Sequence, residues 1–299
     1  MPVDAKESVK PEDGRNAKEN VNAEESGILA CADGAAIAYR RRSGKADLKP
    51  DLPGLVFLGG FRSDMTGQKA SGLDAFAAAQ GRSFLRFDYR GHGASSGRFE
   101  DLVLSDWIAD TLAAFDRLTE GPQIVVGSSM GGWIMQHLAL ARPERVAALV
   151  GIATATDFTR RLIRPALTED AKAALVRDGF LRVPSAYDPA GYVLTAALIE
   201  DGDRHSLLGP WPNPNANPDS NPNANPNPIP IHCPVRLLHG LADAEVPWRL
   251  SLETAEALAS RDLRVTLIKG GDHRLSRPQD LDLLTGTIRS LDESLPRVP

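Results

Sequence analysis

The run Gln123-Ile124-Val125-Val126-Gly127-Ser128-Ser129-Met130-Gly131-Gly132 constrains this chain more than any other stretch. Residues 123–126 read as a short apolar strand and residues 133–141 as a helix, with Gly-x-Ser-x-Gly between them. A chain that passes from strand to helix within so few residues needs glycine at 127 and 131, where side chains would collide with the adjacent strand and helix. The serine at such a turn is held in a strained backbone conformation that lifts its hydroxyl above the sheet. The following helix aims its N-terminus at the same point, where negative charge is stabilised. Ser129 is therefore the candidate nucleophile. The competing reading is an ordinary glycine-rich turn.

A serine hydroxyl is a poor nucleophile at neutral pH. It needs a base, and the base needs an orienting acid. The chain has six histidines. His92 follows the strand expected at 83–87, His137 lies on the helix after the turn, and His205 precedes an Asn/Pro-rich segment. His232 and His239 flank the strand at 235–238. His273 stands in the loop Gly270-Gly271-Asp272-His273, after the strand at 263–268 and before the final helix. It is the candidate base, against the reading of a solvated loop histidine. The candidate acid is Asp243, in the loop just beyond the strand that ends at Gly240, with Pro247 opening the next helix. Glu245 in the same loop and Asp157 after the strand at 146–152 are its rivals, each equally suited to a surface position or a helix N-cap.

Acyl transfer also needs two backbone N–H groups aimed at the developing oxyanion. Met130, directly after the nucleophile, offers one. The loop Gly59-Gly60-Phe61-Arg62-Ser63 after the strand at 55–58 offers the other, with Phe61 the expected donor and Gly60 the neighbouring possibility. Arg62 and Asp64 are expected to form a solvated ion pair.

The order Ser129, Asp243, His273 joins three further stretches: Phe-Asp-Tyr-Arg-Gly-His-Gly-x-Ser at 87–95, Gly-Ser-Ser-Met-Gly-Gly at 127–132, and Gly-x-x-Asp-x-x-Val-Pro at 240–247. Together they resemble the α/β-hydrolase superfamily. The stretches 58–67, 127–136 and 271–276 are similar to one branch, the bacterial relatives of the mitochondrial acyl-protein thioesterase that also hydrolyses acyl glucuronides. The resemblance spans roughly residues 26–291. It implies that Ser129, Asp243 and His273 are catalytic, and it treats Arg90-Gly91-His92-Gly93 as a structural loop.

Periodicity supports the same architecture. Residues 28–31 and 35–40 suggest a hairpin about Ala32-Asp33-Gly34. Short apolar strands from 55, 83, 123, 146, 235 and 263 alternate with helices near 69–80, 102–118, 133–141, 250–259 and 279–291. This predicts an α/β chain with a mostly parallel central sheet and helices on both faces. The rhythm changes at 155–210, where helices around 168–177 and 192–199 predict a small helical cap and no clear strand occurs. Phe158, Leu162, Leu167, Tyr187 and Leu194 are its candidate pocket residues, against the reading, stronger for any one of them, that they pack the cap onto the main domain. Trp133, one helical turn after Ser129, suits the pocket floor and the core equally. Phe158, Leu162 and Trp133 are the expected substrate contacts.

The divisions expected are a disordered polar tail at 1–26, a first core part at 27–154, the cap at 155–210, an Asn/Pro-rich repeat loop at 211–230 and a second core part at 231–293. The repeat, Asn213 through Ser220 followed by Asn221 through Pro228, favours neither helix nor sheet, because proline removes donors and restricts its neighbour. The tail has no hydrophobic core of a secretory signal, and its acidic residues count against a transit peptide, so a cytoplasmic location is expected.

Apolar content of 42% supplies a sizeable core, and a net charge of −5 without a basic stripe argues against nucleic acid. Cys31 and Cys233 show no metal-ligand spacing, and no apolar run is long enough to span a membrane. The reading is a serine hydrolase acting on esters or thioesters of a small-molecule or acylated substrate, with no metal and no cofactor. A serine peptidase and a non-catalytic binding protein on the same scaffold are the alternatives.

Overall fold

The computed structural model describes residues 23–44, 52–183, 191–209 and 228–295. In chain order the elements are β1 (Glu24–Ala30), β2 (Ala36–Arg42), β3 (Gly54–Leu58), α1 (Gln68–Gln80), β4 (Phe84–Phe87), α2 (Leu104–Leu118), β5 (Gln123–Ser128), α3 (Met130–Ala141) and β6 (Val146–Ile152). After them come α4 (Arg164–Ala166), α5 (Glu169–Asp178), β7 (Phe180–Val183), β8 (Tyr192–Thr195), α6 (Ala196–Arg204), β9 (Val235–Gly240), α7 (Arg249–Ala257), β10 (Leu263–Ile268) and α8 (Pro278–Ser294).

Eight strands form one sheet in the order β1-β2-β4-β3-β5-β6-β9-β10. β1 with β2 and β2 with β4 are antiparallel, and the remaining pairs are parallel. Parallel strands covered on both faces read as continuous apolar runs, and β3 and β5 are buried at every position. Side chains still alternate between faces with the period of two. Val56, Leu58 and Val125 join Trp107 and Phe115 of α2 and Trp133 and Leu138 of α3 on one face. Leu55, Phe57, Ile124 and Val126 join Leu73 and Phe76 of α1 and Leu284, Ile288 and Leu291 of α8 on the other. The sheet is thus the middle layer of three.

The parallel register brings Leu58, Gly127 and Gly240 to one edge, beside Gly151 and Ile268. The loops that follow β3, β5, β9 and β10 therefore meet over the carboxyl ends of the strands, where open α/β sheets bind ligands.

Four expectations change. β1 starts at Glu24, inside the stretch expected to be tail, because pairing with β2 brings Glu24 and Glu25 beside Arg42 and Arg41. Helix α3 starts at Met130, directly after the nucleophile turn, and not at 133. The segment between β6 and β9 carries an antiparallel β7–β8 pair besides its helices, with Phe180 opposite Thr195 and Val183 opposite Tyr192. The helix expected at 192–199 is strand to Thr195 and helix from Ala196, whose start Thr195 caps by accepting from Leu198 N–H. Residues 1–22, most of the Asn/Pro repeat and Tyr187 lie outside the described residues.

Candidate active site

Ser129 stands between β5 and α3 with φ 55° and ψ −117°. A residue with a side chain pays about 1–3 kcal/mol for such a conformation, so the surroundings must impose it. They do so through three backbone bonds. Ser129 N–H donates to Ile152 O at 2.9 Å, and Ser129 O accepts from Gly132 and Ala155 N–H at 2.9 and 3.1 Å. Helix α3 packs so close to β3 that a Cβ on Gly131 would sit 2.2 Å from Leu58 O. That approach, possible only for glycine, is what the spacing of Gly-x-Ser-x-Gly encodes.

His273 Nε2 lies 3.1 Å from Ser129 Oγ. His273 Nδ1 lies 2.8 Å from Asp243 Oδ2. A carboxylate only accepts, so Nδ1 carries the hydrogen and Nε2 is left to accept from the serine hydroxyl. The Asp243 side chain is wholly buried. Its Oδ1 accepts from Glu245 and Val246 N–H at 2.9 and 2.8 Å. Burial opposes its charge. Hydrogen bonds from His239, His273 and the Val246 N–H outweigh burial and hold the carboxyl well below the usual carboxylate range. The Asp243 carboxyl is thus favoured in its ionised form, the form that accepts from His273. Its loop is tied to that of His273 by Leu241 N–H to Ile268 O and Ala242 N–H to Gly271 O, both 2.9 Å.

Sequence reasoning missed His239. Its buried Nε2 lies 2.9 Å from Val246 O and 3.2 Å from Asp243 Oδ2, and its Nδ1 lies 2.7 Å from Ser251 Oγ. Both partners of Nε2 are acceptors, so Nε2 carries the hydrogen and His239 braces the acid from the side opposite His273. The signal available was a histidine at the end of a buried strand, four residues before the acid.

The rivals to Asp243 part from it. Asp157 is fully buried and accepts from Ser206 Oγ, Leu207 N–H and Leu208 N–H, which fastens residues 206–208 to the segment after β6. Glu245 lies beside the histidine from another direction, with Oε2 3.8 Å from His273 Nε2 and its side chain open to the cleft.

The loop after β3 turns against the serine. A Cβ on Gly60 would lie 3.4 Å from Ser129 Cβ. Ser63 N–H donates to Gly60 O at 3.1 Å, closing a turn with Arg62 at φ 55°. Neither the Phe61 nor the Met130 amide donates to another described residue. The Phe61 ring meets Phe99, Trp107, Phe158 and Tyr192 edge to face at 4.8–6.1 Å. Arg62 does not make the solvated pair expected with Asp64. It pairs with Glu100 at 2.6 Å, its guanidinium 4.4 Å from the Phe99 ring centre, while Asp64 accepts from Thr66 N–H.

A cleft of about 670 Å³ opens over Ser129 and His273, lined among others by Phe61, Arg62, Lys69, Tyr192, Glu245 and Arg274. Burial, and the nearby Arg274 charge, bring Lys69 down to about 8, and its ammonium donates to Arg274 O. The expected substrate contacts are not in this lining. Trp133 is fully buried, its ring 5.5 Å from that of Phe158, and Phe158 lies behind Phe61. Leu162 packs against the same core cluster, and Leu194 is buried in it. Large apolar side chains gain more from the core beneath the cleft than from its wet surface. The segment between β6 and β9 contributes Tyr192 instead.

Among the described residues no group of His, Cys, Asp and Glu could hold a metal ion, and no helix is long and apolar enough to cross a membrane. The alpha/beta hydrolase family profile matches residues 55–282. The mouse protein named palmitoyl-protein thioesterase ABHD10, mitochondrial, is 38% identical over 278 residues, which cover 91% of this chain and 87% of that protein. The human protein of the same name is 38% identical over 261 residues, covering 87% and 77%. The solved structure of mouse alpha/beta hydrolase domain-containing protein 10 matches with a TM-score of 0.77 at 38% identity, over 90% of this chain and 99% of that one. The mitochondrial names of these relatives overturn the cytoplasmic expectation, which rested on the composition of residues 1–26 alone.

Proposed function

The chain belongs to the alpha/beta hydrolase family, and on that premise we propose that it is a serine hydrolase cleaving ester or thioester bonds of acyl substrates through an acyl-enzyme on Ser129. The observation that carries this reading is the chain of contacts from Ser129 Oγ to His273 Nε2 and from His273 Nδ1 to Asp243. Nε2 takes the serine proton as Oγ attacks the acyl carbonyl. Asp243 stabilises the imidazolium that forms. The Phe61 and Met130 amides hold the oxyanion, and the N-terminus of α3 adds its dipole. His273 then protonates the leaving alkoxide or thiolate, and water attacks the acyl-enzyme by the same route in reverse. Residues 155–210 act as a cap, contributing Tyr192 to the cleft. The names of the relatives support thioesters of fatty acids among the substrates.

A panel of acyl esters, acyl thioesters and peptides of matched length tests the reaction class. Turnover of the esters and thioesters is expected, with peptides untouched. Cleavage of peptides with the acyl substrates left intact would make the protein a peptidase, and no turnover of any class would favour a binding protein.

A further inference from the structure

We propose that His92 is a positioning residue for this reaction: it accepts the Arg62 N–H and thereby locks the turn that presents the Phe61 amide to the oxyanion. The proposal rests on the roles given above to Ser129 and Phe61.

The turn runs from Gly60 to Ser63, with Arg62 at its third position in the left-handed region and Phe61 outside it. That is the pattern of a type II turn, which favours glycine where this chain has arginine. The type I alternative suits any residue there, and it requires the central peptide between Phe61 and Arg62 to turn over. Intrinsic preference therefore works against the observed turn. The N–H of that central peptide belongs to Arg62, and it donates to His92 Nε2 at 3.1 Å. Turning the peptide over would break this bond and leave a polar group without a partner beside an aromatic pocket. The Phe61 N–H lies in the preceding peptide, so the bond acts on it by anchoring the chain at the Phe61 Cα that the two peptides share.

His92 is built to accept. Its Nδ1 lies 3.2 Å from Arg90 O, a pure acceptor, so Nδ1 carries the hydrogen and Nε2 is bare. The ring is buried among Tyr89, Phe99 and Trp107, with centroids 5.1–5.5 Å away. Burial pushes the imidazole down to about 4, so it stays neutral. The same loop holds the chain on either side of the turn. Tyr89 Oη donates to Gly59 O at 3.3 Å, and Asp88 Oδ1 accepts from Met65 N–H at 2.7 Å. Only the His92 bond falls on the residue next to Phe61. The stretch Arg90-Gly91-His92-Gly93, structural by resemblance, thus reaches the chemistry through one hydrogen bond.

His92→Phe keeps a ring in the pocket and deletes the acceptor. His92→Gln restores an acceptor near the Nε2 position, and His92→Asn falls short of it. Each is assayed on an acyl ester, with binding of a trifluoromethyl ketone, which forms an oxyanion on the serine, and of the matching methyl ketone as a ground-state mimic. His92→Phe is expected to lose roughly 10–100-fold in kcat with KM within about threefold, and to lose the same factor in affinity for the trifluoromethyl ketone only. His92→Gln should recover most of the loss and His92→Asn little of it. A kcat for His92→Phe within about threefold of wild type, a loss confined to KM, or unchanged trifluoromethyl ketone affinity would overturn the proposal. Should His92→Phe not fold, the Gln and Asn variants decide, and Gln no better than Asn overturns it. Full turnover in Ser129→Ala would instead overturn the reading on which the proposal rests.

Discussion

Replacing Ser129 with alanine is expected to lower kcat by about 10⁴-fold or more while the protein melts within a few degrees of wild type. The geometry separates the two effects. The backbone bonds that impose the turn, from Ser129 N–H to Ile152 O and from Gly132 and Ala155 N–H to Ser129 O, do not use the side chain. The hydroxyl itself contacts His273 Nε2. Alanine therefore removes the attacking atom and little else. Retention of a tenth of wild-type turnover, after correction for active-site content, would mean that another group attacks the substrate.

Asp243→Asn is expected to cost roughly 10³–10⁴ in kcat, because an amide offers its N–H to the ring and selects the tautomer with hydrogen on Nε2, which cannot accept from serine. Glu245→Gln should stay within a few-fold, since its carboxylate lies to one side of Nε2. Asp157→Asn should behave in the opposite sense to Asp243→Asn. Its carboxylate accepts from Ser206, Leu207 and Leu208, so replacing one oxygen by a donor should cost about 1–3 kcal/mol of stability, while folded enzyme keeps its rate. Comparable loss of rate in Asp157→Asn, with Asp243→Asn nearly silent, would move the acid to the loop after β6.

The strands and the main helices were legible because local and global demands coincide there. A parallel strand buried on both faces must be apolar throughout, and a serine at a strand-to-helix turn needs glycine on either side. The positions of Ser129, Asp243 and His273 follow from loops at one edge of such a sheet, which is why chain order and strand ends sufficed to nominate them. Three features were hidden. The β7–β8 pair is only half-buried, so Phe-Leu-Arg-Val and Tyr-Val-Leu-Thr carry little alternation to mark them as strands. Trp133 and Phe158 have the composition of a binding pocket, but sequence cannot tell an aromatic in the cleft from one in the core beneath it. His239 acts through Asp243, already nominated, and His92 through the Arg62 N–H beside the nominated Phe61. Their importance depends on which ring nitrogen donates and which accepts, and that is set by the packing around each ring.

Labelling with a fluorophosphonate, followed by mass spectrometry of the peptides, tests the central assignment most directly. An activated serine displaces fluoride and keeps the phosphonyl group on Oγ. The prediction is a single adduct on Ser129, absent in Ser129→Ala and formed far more slowly in Asp243→Asn. An adduct on neighbouring Ser128 or on any other residue with Ser129 unmodified, or an enzyme that turns over acyl esters yet resists the probe, would contradict it.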